Sequence, residues 1–134
     1  VTGPLTGPAT TGWLPAGITA GQSWACQLGL TDPATGQPRI VYRCWAELGR
    51  PRRFGGYTQL LRLDDSARPD RGTAHPAGRP ANQVLLSISD AVSAGLPACE
   101  DAQLEVWIQP SAAGEPYCLL RAPFPIRPKA ADLP

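Results

Sequence analysis

Four cysteines, a single histidine and eleven acidic residues hold most of the chemistry this sequence can offer. A Ser-His-Asp or Cys-His centre needs an imidazole base, and only His75, between Ala74 and Pro76 in a polar stretch, could supply it. No GxSxG nucleophile turn accompanies it. A paired-carboxylate hydrolase needs two acids on rigid elements. Glu47, Asp101 and Glu105 lie nearest the expected strands, with no motif around them. Asp64, Asp65 and Asp70 with His75 come nearest to a metal cluster. They lack calcium-loop spacing, and no second histidine or CxxC pair completes a zinc site. Gly55-Gly56 precedes no helix that would cradle a phosphate. The expectation is a protein without catalysis, metal or cofactor.

Cys26, Cys44, Cys99 and Cys118 therefore read as structural. The chain starts at Val1 and contains no methionine, which suggests a processed chain or a piece excised from a longer one, and an even cysteine count in a small β-rich chain suggests two disulfides, secreted or at the cell surface. Residues 24–45 suggest the pairing. If a turn centres near Thr35, Cys26 faces Cys44, Leu28 faces Tyr42 and Leu30 faces Ile40, all on one face with Trp24 at its end. A one-residue slip would turn Leu28 and Leu30 outward, so the register looks well specified. Cys99–Cys118 follows by elimination. Cross-sheet bonding of Cys26 to Cys99 or Cys118 is the alternative, because cysteines directly opposite in a sheet are strained.

The residues suited to binding are aromatic or arginine. In residues 49–57, Arg50, Arg52 and Arg53 sit beside Phe54 and Tyr57. Such interleaving can bind single-stranded nucleic acid. The cluster is short, however, and the net charge is only +1, so an exposed loop between strands is the preferred reading, and a rim for an anionic sugar or a protein carboxylate lies between the two. Trp13, Trp45, Trp107 and Tyr57 are candidates for stacking on sugar rings. Trp45 and Trp107 fall opposite the expected core side of their strands, where partial burial in a layered fold is the competing reading.

Fourteen glycines and sixteen prolines argue for short strands and many turns. After the hairpin, strands are expected over residues 57–63, 83–88, 103–109 and 116–121, the last two as a second hairpin. Ser89 should cap a helical turn over residues 91–94. Residues 64–80 carry no large apolar side chain and read as a long polar loop. Residues 91–95 resemble 17–21, by duplication or by chance in an Ala/Gly-rich chain.

The resulting fold class is all-β: an antiparallel sandwich or partly open barrel with two disulfides and Pro-rich terminal arms. Residues 1–12 form an N-terminal arm, 13–121 a single β-domain, and 122–134 a Pro-rich extension. Proline-rich arms lose little entropy on ordering and suit docking. The expected function is therefore an extracytoplasmic interaction or assembly subunit, with protein partners that include other copies of itself. The alternative is a carbohydrate-binding module with a glycan partner, and a secreted inhibitor ranks third. No nucleic acid and no membrane span are expected. If residues 1–12 fold back and leave a tryptophan-lined groove open, the glycan reading gains.

Overall fold

The structure is a computed structural model that describes residues 17–32 and 34–128 in full, with Gly3–Pro4 and Thr10–Leu14 described by strand pairing alone. The rest of the N-terminal arm and residues 129–134 lie outside the described residues. Eleven strands and one helical turn follow in order: β1 Gly3–Pro4, β2 Thr10–Leu14, β3 Ile18–Thr19, β4 Trp24–Leu30, β5 Arg43–Pro51, β6 Tyr57–Asp64, β7 Gly72–Ala77, β8 Gln83–Ile88, α1 Asp90–Ser93, β9 Gln103–Gln109, β10 Tyr117–Pro123 and β11 Ile126–Arg127. One sheet runs β1-β2-β4-β8-β7-β6-β5-β9-β10, and β11 pairs with β3 separately. From β4 to β10 the sheet curls into a half-barrel. It is mixed: β6 and β7 run parallel, while its other neighbours are antiparallel.

Period-two alternation builds the core. Trp24, Cys26, Leu28 and Leu30 of β4 are buried, as are Val84, Leu86 and Ile88 of β8 and Leu104, Val106 and Ile108 of β9. The chain after β10 closes this core. Phe124 is fully buried and meets Trp24 edge-on, with ring centroids 5.1 Å apart. Ile126 is 1% exposed and pairs with Ile18. Helix α1 starts where Ser89 accepts the Val92 amide at 3.2 Å. The two similar segments meet: the buried Ser93 hydroxyl donates to the Gln22 carbonyl at 2.7 Å and accepts from the Gly21 amide at 3.0 Å.

Three expectations are corrected. The first hairpin does not form. Asp32 turns the chain, and Thr31 and Pro38 make an isolated bridge, but β4 then pairs with β2 and β8, whereas β5 pairs with β6 and β9. Val41 turns inward in place of Ile40 and Tyr42, which are 48% and 56% exposed. Consequently Cys26 lies opposite Leu86 and Cys44 opposite Ile108, four strand steps apart in the sheet order, or about 19 Å along its surface. A disulfide needs Cα atoms within about 7 Å. Cys44, Cys99 and Cys118 form no disulfide. The Cys99 thiol instead donates to Asp101 at 2.8 Å, and Cys118 sits exposed on β10.

The second correction concerns residues 64–80, which contain β7, a strand inside the sheet between β6 and β8. Its core side is made of Gly72 and the fully buried Ala74. A Cβ on Gly72 would lie 2.7 Å from both the Leu63 side chain and the Ser87 carbonyl oxygen, so the space a large residue would fill is already occupied. The third follows from β7: the sheet is mixed, not purely antiparallel.

Candidate binding site on the outer face

Residues alternating away from the core on β6, β5, β9 and β10 form one continuous outer face. Along it Arg43 is opposite Gln109, Trp45 opposite Trp107, Glu47 opposite Glu105, and Gly49 opposite Gln103. The two indoles are parallel within 2°, with centroids 6.4 Å apart. The Arg43 and Arg62 guanidinium groups lie 5.5 and 5.7 Å from the Trp45 ring. The Trp107 N–H is buried without an acceptor among the described residues, so this residue offers ring surface only.

Two glutamates directly opposite each other repel. Each is matched by an arginine from the next strand out: Arg62 reaches Glu47 at 3.0 Å, and Arg121 reaches Glu105 at 3.2 Å. This gives a row of four charges across the sheet, ordered plus, minus, minus, plus. In the next row Gly49 has no side chain, and a bulge in the β5–β6 register falls beside it. The result is a depression of about 220 Å³ lined by Glu47, Leu48, Gly49, Tyr57, Gln59, Gln103 and Glu105. Here a Cβ at position 49 would come within 3.1 Å of the Thr58 carbonyl oxygen. The Tyr57 hydroxyl donates to Gln103 Oε1 at 2.8 Å, which leaves the Gln103 amide N–H groups available to a ligand. The Arg121 guanidinium also lies over the Tyr57 ring, 5.8 Å from its centroid.

Of the sequence candidates, Trp45, Trp107 and Tyr57 share this face. Trp13 is on β2, near the far end of the sheet, and is described by its pairing with Pro4 alone. Arg50, Arg52 and Arg53 lie in the extension of the β5–β6 hairpin, where residues 50–59 are all exposed. There Arg52 donates to the Thr58 hydroxyl at 3.2 Å, and Arg53 lies 5.7 Å from the ring of Phe54. The sequence reading missed Gln59, Gln103, Arg62 and Arg121, and it left Glu47 and Glu105 without a role. For Glu47, Arg62, Gln103, Glu105 and Arg121 the signal was polar residues alternating with the core side of β5, β6, β9 and β10, whereas Gln59 has the parity of the buried Leu61 and Leu63 and faces outward only because of the bulge beside Gly49. The pattern becomes a site only once β5 and β9 are known to be neighbours.

The acids and histidine of residues 64–80 do not assemble. Asp64 is buried and accepts from Arg62 at 3.0 Å and Arg71 at 2.6 Å. Burial alone would raise its carboxyl pKa. Bonds from the Ser66 side chain and amide and from the two arginines outweigh burial and hold it well below the ordinary carboxylate range. Asp70 pairs with Arg68 in solvent, and His75 is exposed on β7. Among the described residues no group of three or more His, Cys, Asp or Glu could hold a metal, and no helix is long and apolar enough to cross a membrane.

No family model and no curated protein matches the chain.

Proposed function

We propose that the outer face binds a saccharide, without catalysis. The observation that carries this reading is the depression over Gly49. One wall is aromatic, Tyr57. The others offer acceptors on Glu47 and Glu105 and amides on Gln59 and Gln103. Sugar hydroxyls both donate and accept, and such a mixed lining matches them. Because each glutamate is engaged by its own arginine, it serves as a fixed hydrogen-bond acceptor. Strand β2 supports the same reading: Thr10, Thr11 and Gly12 pair with β4 of the same chain, at the end of the sheet order away from β5 and β9. Location outside the cytoplasm belongs to this proposal and no longer draws on disulfides.

The test is calorimetric titration with neutral oligosaccharides. Replacing Gln103 by Ala should weaken binding about tenfold, the loss of one or two hydrogen bonds. An unchanged affinity in that variant would remove the pocket from the account.

An assembly subunit is the second reading, and the open edge of the sheet favours it. Strand β10 ends the strand order, and the exposed Ile40 lines a shallow hollow with Arg39, Pro110 and Tyr117. Light scattering on the Ile40→Asp protein would separate the readings: assembly predicts a smaller particle than the parent forms, and saccharide binding predicts no change in size.

A further inference from the structure

The charge around the pocket is uneven. Glu47 and Glu105 are each matched by an arginine, yet Arg43, Arg50, Arg52 and Arg53 form no ion pair among the described residues. Two of these four stand at the ends of one line. Arg43 begins β5 beside Trp45, about 20 Å of strand from Gly49. Arg53 lies beyond Gly49 at the tip of the projecting hairpin, next to Phe54, which is 95% exposed. Gly55 and Gly56, at φ of +98° and +80°, make the tight turn that holds Phe54 clear of the sheet. Arg50 and Arg52 occupy the reverse side of the hairpin with Thr58, where they add to the field without touching this line.

A ligand that follows β5 thus meets, in order, a cation beside stacked indoles, a neutral hydroxyl-binding pocket, and a second cation beside an exposed aromatic ring. The run is about 30 Å long, far more than one sugar unit occupies. A guanidinium fork matches a carboxylate bidentately, and an aromatic face matches the apolar face of a pyranose. We propose that the ligand is a linear acidic glycan laid along β5, its carboxylates met by Arg43 and Arg53 and the hydroxyls of one unit held over Gly49. This rests on the saccharide reading and specifies its class. Single-stranded DNA fits the line less well, because the pocket between the cations matches hydroxyls, and the deoxyribose-phosphate backbone has none to offer there.

The experiment titrates the full chain with hexagalacturonate and with the same hexamer fully methyl-esterified, which keeps the sugar and removes the charge. The acid form should bind about tenfold or more tightly than the ester. That preference should shrink severalfold at about 0.5 M salt and in the Arg43→Gln/Arg53→Gln protein, whose affinity for the acid form falls severalfold more than its affinity for the ester. Both substituted residues are exposed, so folding is preserved. Equal affinity for acid and ester overturns the acidic class and leaves the saccharide pocket standing. Binding of neither overturns both. An oligodeoxythymidylate of equal charge that binds as tightly as the acid hexamer also overturns the proposal, because the face would then read charge alone.

Discussion

Asp64 shows how one residue can organise its surroundings without doing chemistry. Its carboxylate joins Arg62 of its own strand to Arg71 in the β6–β7 connection, and Arg62 in turn holds Glu47 at the edge of the pocket. Replacing Asp64 with Asn should cost about 2–3 kcal/mol, because two partly buried arginines lose their counter-charge. Acidity should reveal the same group. Its folded-state pKa is depressed, so its stabilisation is whole above the ordinary carboxylate value of about 3.9 and drains away as pH falls below it. Denaturant titrations from neutral to acid pH should therefore show a shallower acid loss in Asp64→Asn than in the parent. Parallel curves would contradict this.

The thiols make a second prediction at this scale. Burial pushes Cys26 up to about 11, and burial with the nearby Asp65 carboxylate pushes Cys44 up to about 12. Cys118 is exposed, and burial and Glu105 raise it without hiding it. Alkylation of the native protein at neutral pH should label Cys118 first and reach Cys26 and Cys44 only on unfolding. A peptide map that finds Cys26 bonded to Cys44 would contradict the strand order.

Among the elements, legibility followed side-chain size. Strands β4, β8 and β9 announce themselves by large apolar residues at every second position, and β6 and β10 do so nearly as well. Strand β7 is invisible to that signal. Its inward residues are Gly72 and Ala74, because Leu63 and the β8 backbone already fill the volume, and its pairing with β6 and β8 holds it in place. The Gly72→Ala protein tests that explanation. Its added methyl meets a backbone oxygen, and the expected cost is about 1–3 kcal/mol in a thermal or denaturant melt. An unchanged melt would mean the strand has room to spare. The first hairpin misled for a different reason. Its local pattern was self-consistent, but β4 sets Cys26 and Leu28 opposite Leu86 and Val84 of β8, β5 sets Cys44 and Ala46 opposite Ile108 and Val106 of β9, and Val41 is buried in place of Ile40 and Tyr42.

At the scale of the molecule, the aromatic residues of the candidate site stand out in the sequence, and its polar residues do not. Trp45, Trp107 and Tyr57 stand out by type. Glu47 and Glu105, Gly49 and Gln103 become partners only through the β5–β9 pairing, which spans more than fifty residues of sequence and leaves no local mark. The stretch after β10 was similarly opaque: prolines suggested a loose extension, yet Phe124 and Ile126 complete the core. Truncating Phe124 to Ala should accordingly cost about 3–5 kcal/mol in a denaturant melt, as for a core aromatic. A loss below about 1 kcal/mol, within the range of surface substitutions, would show that this residue does not close the half-barrel.

The proposed binding rests on the pocket over Gly49. Amide chemical-shift mapping during titration with hexagalacturonate tests it most directly. The predicted result is a contiguous set of shifts on β5, β6 and β9 that includes Gly49, Tyr57, Gln59 and Gln103 and extends to Trp45 and Arg53, with the β4–β8–β7 side unmoved. Shifts confined to β10 and Ile40, or absent from Gly49 and Gln103 at saturation, would contradict it.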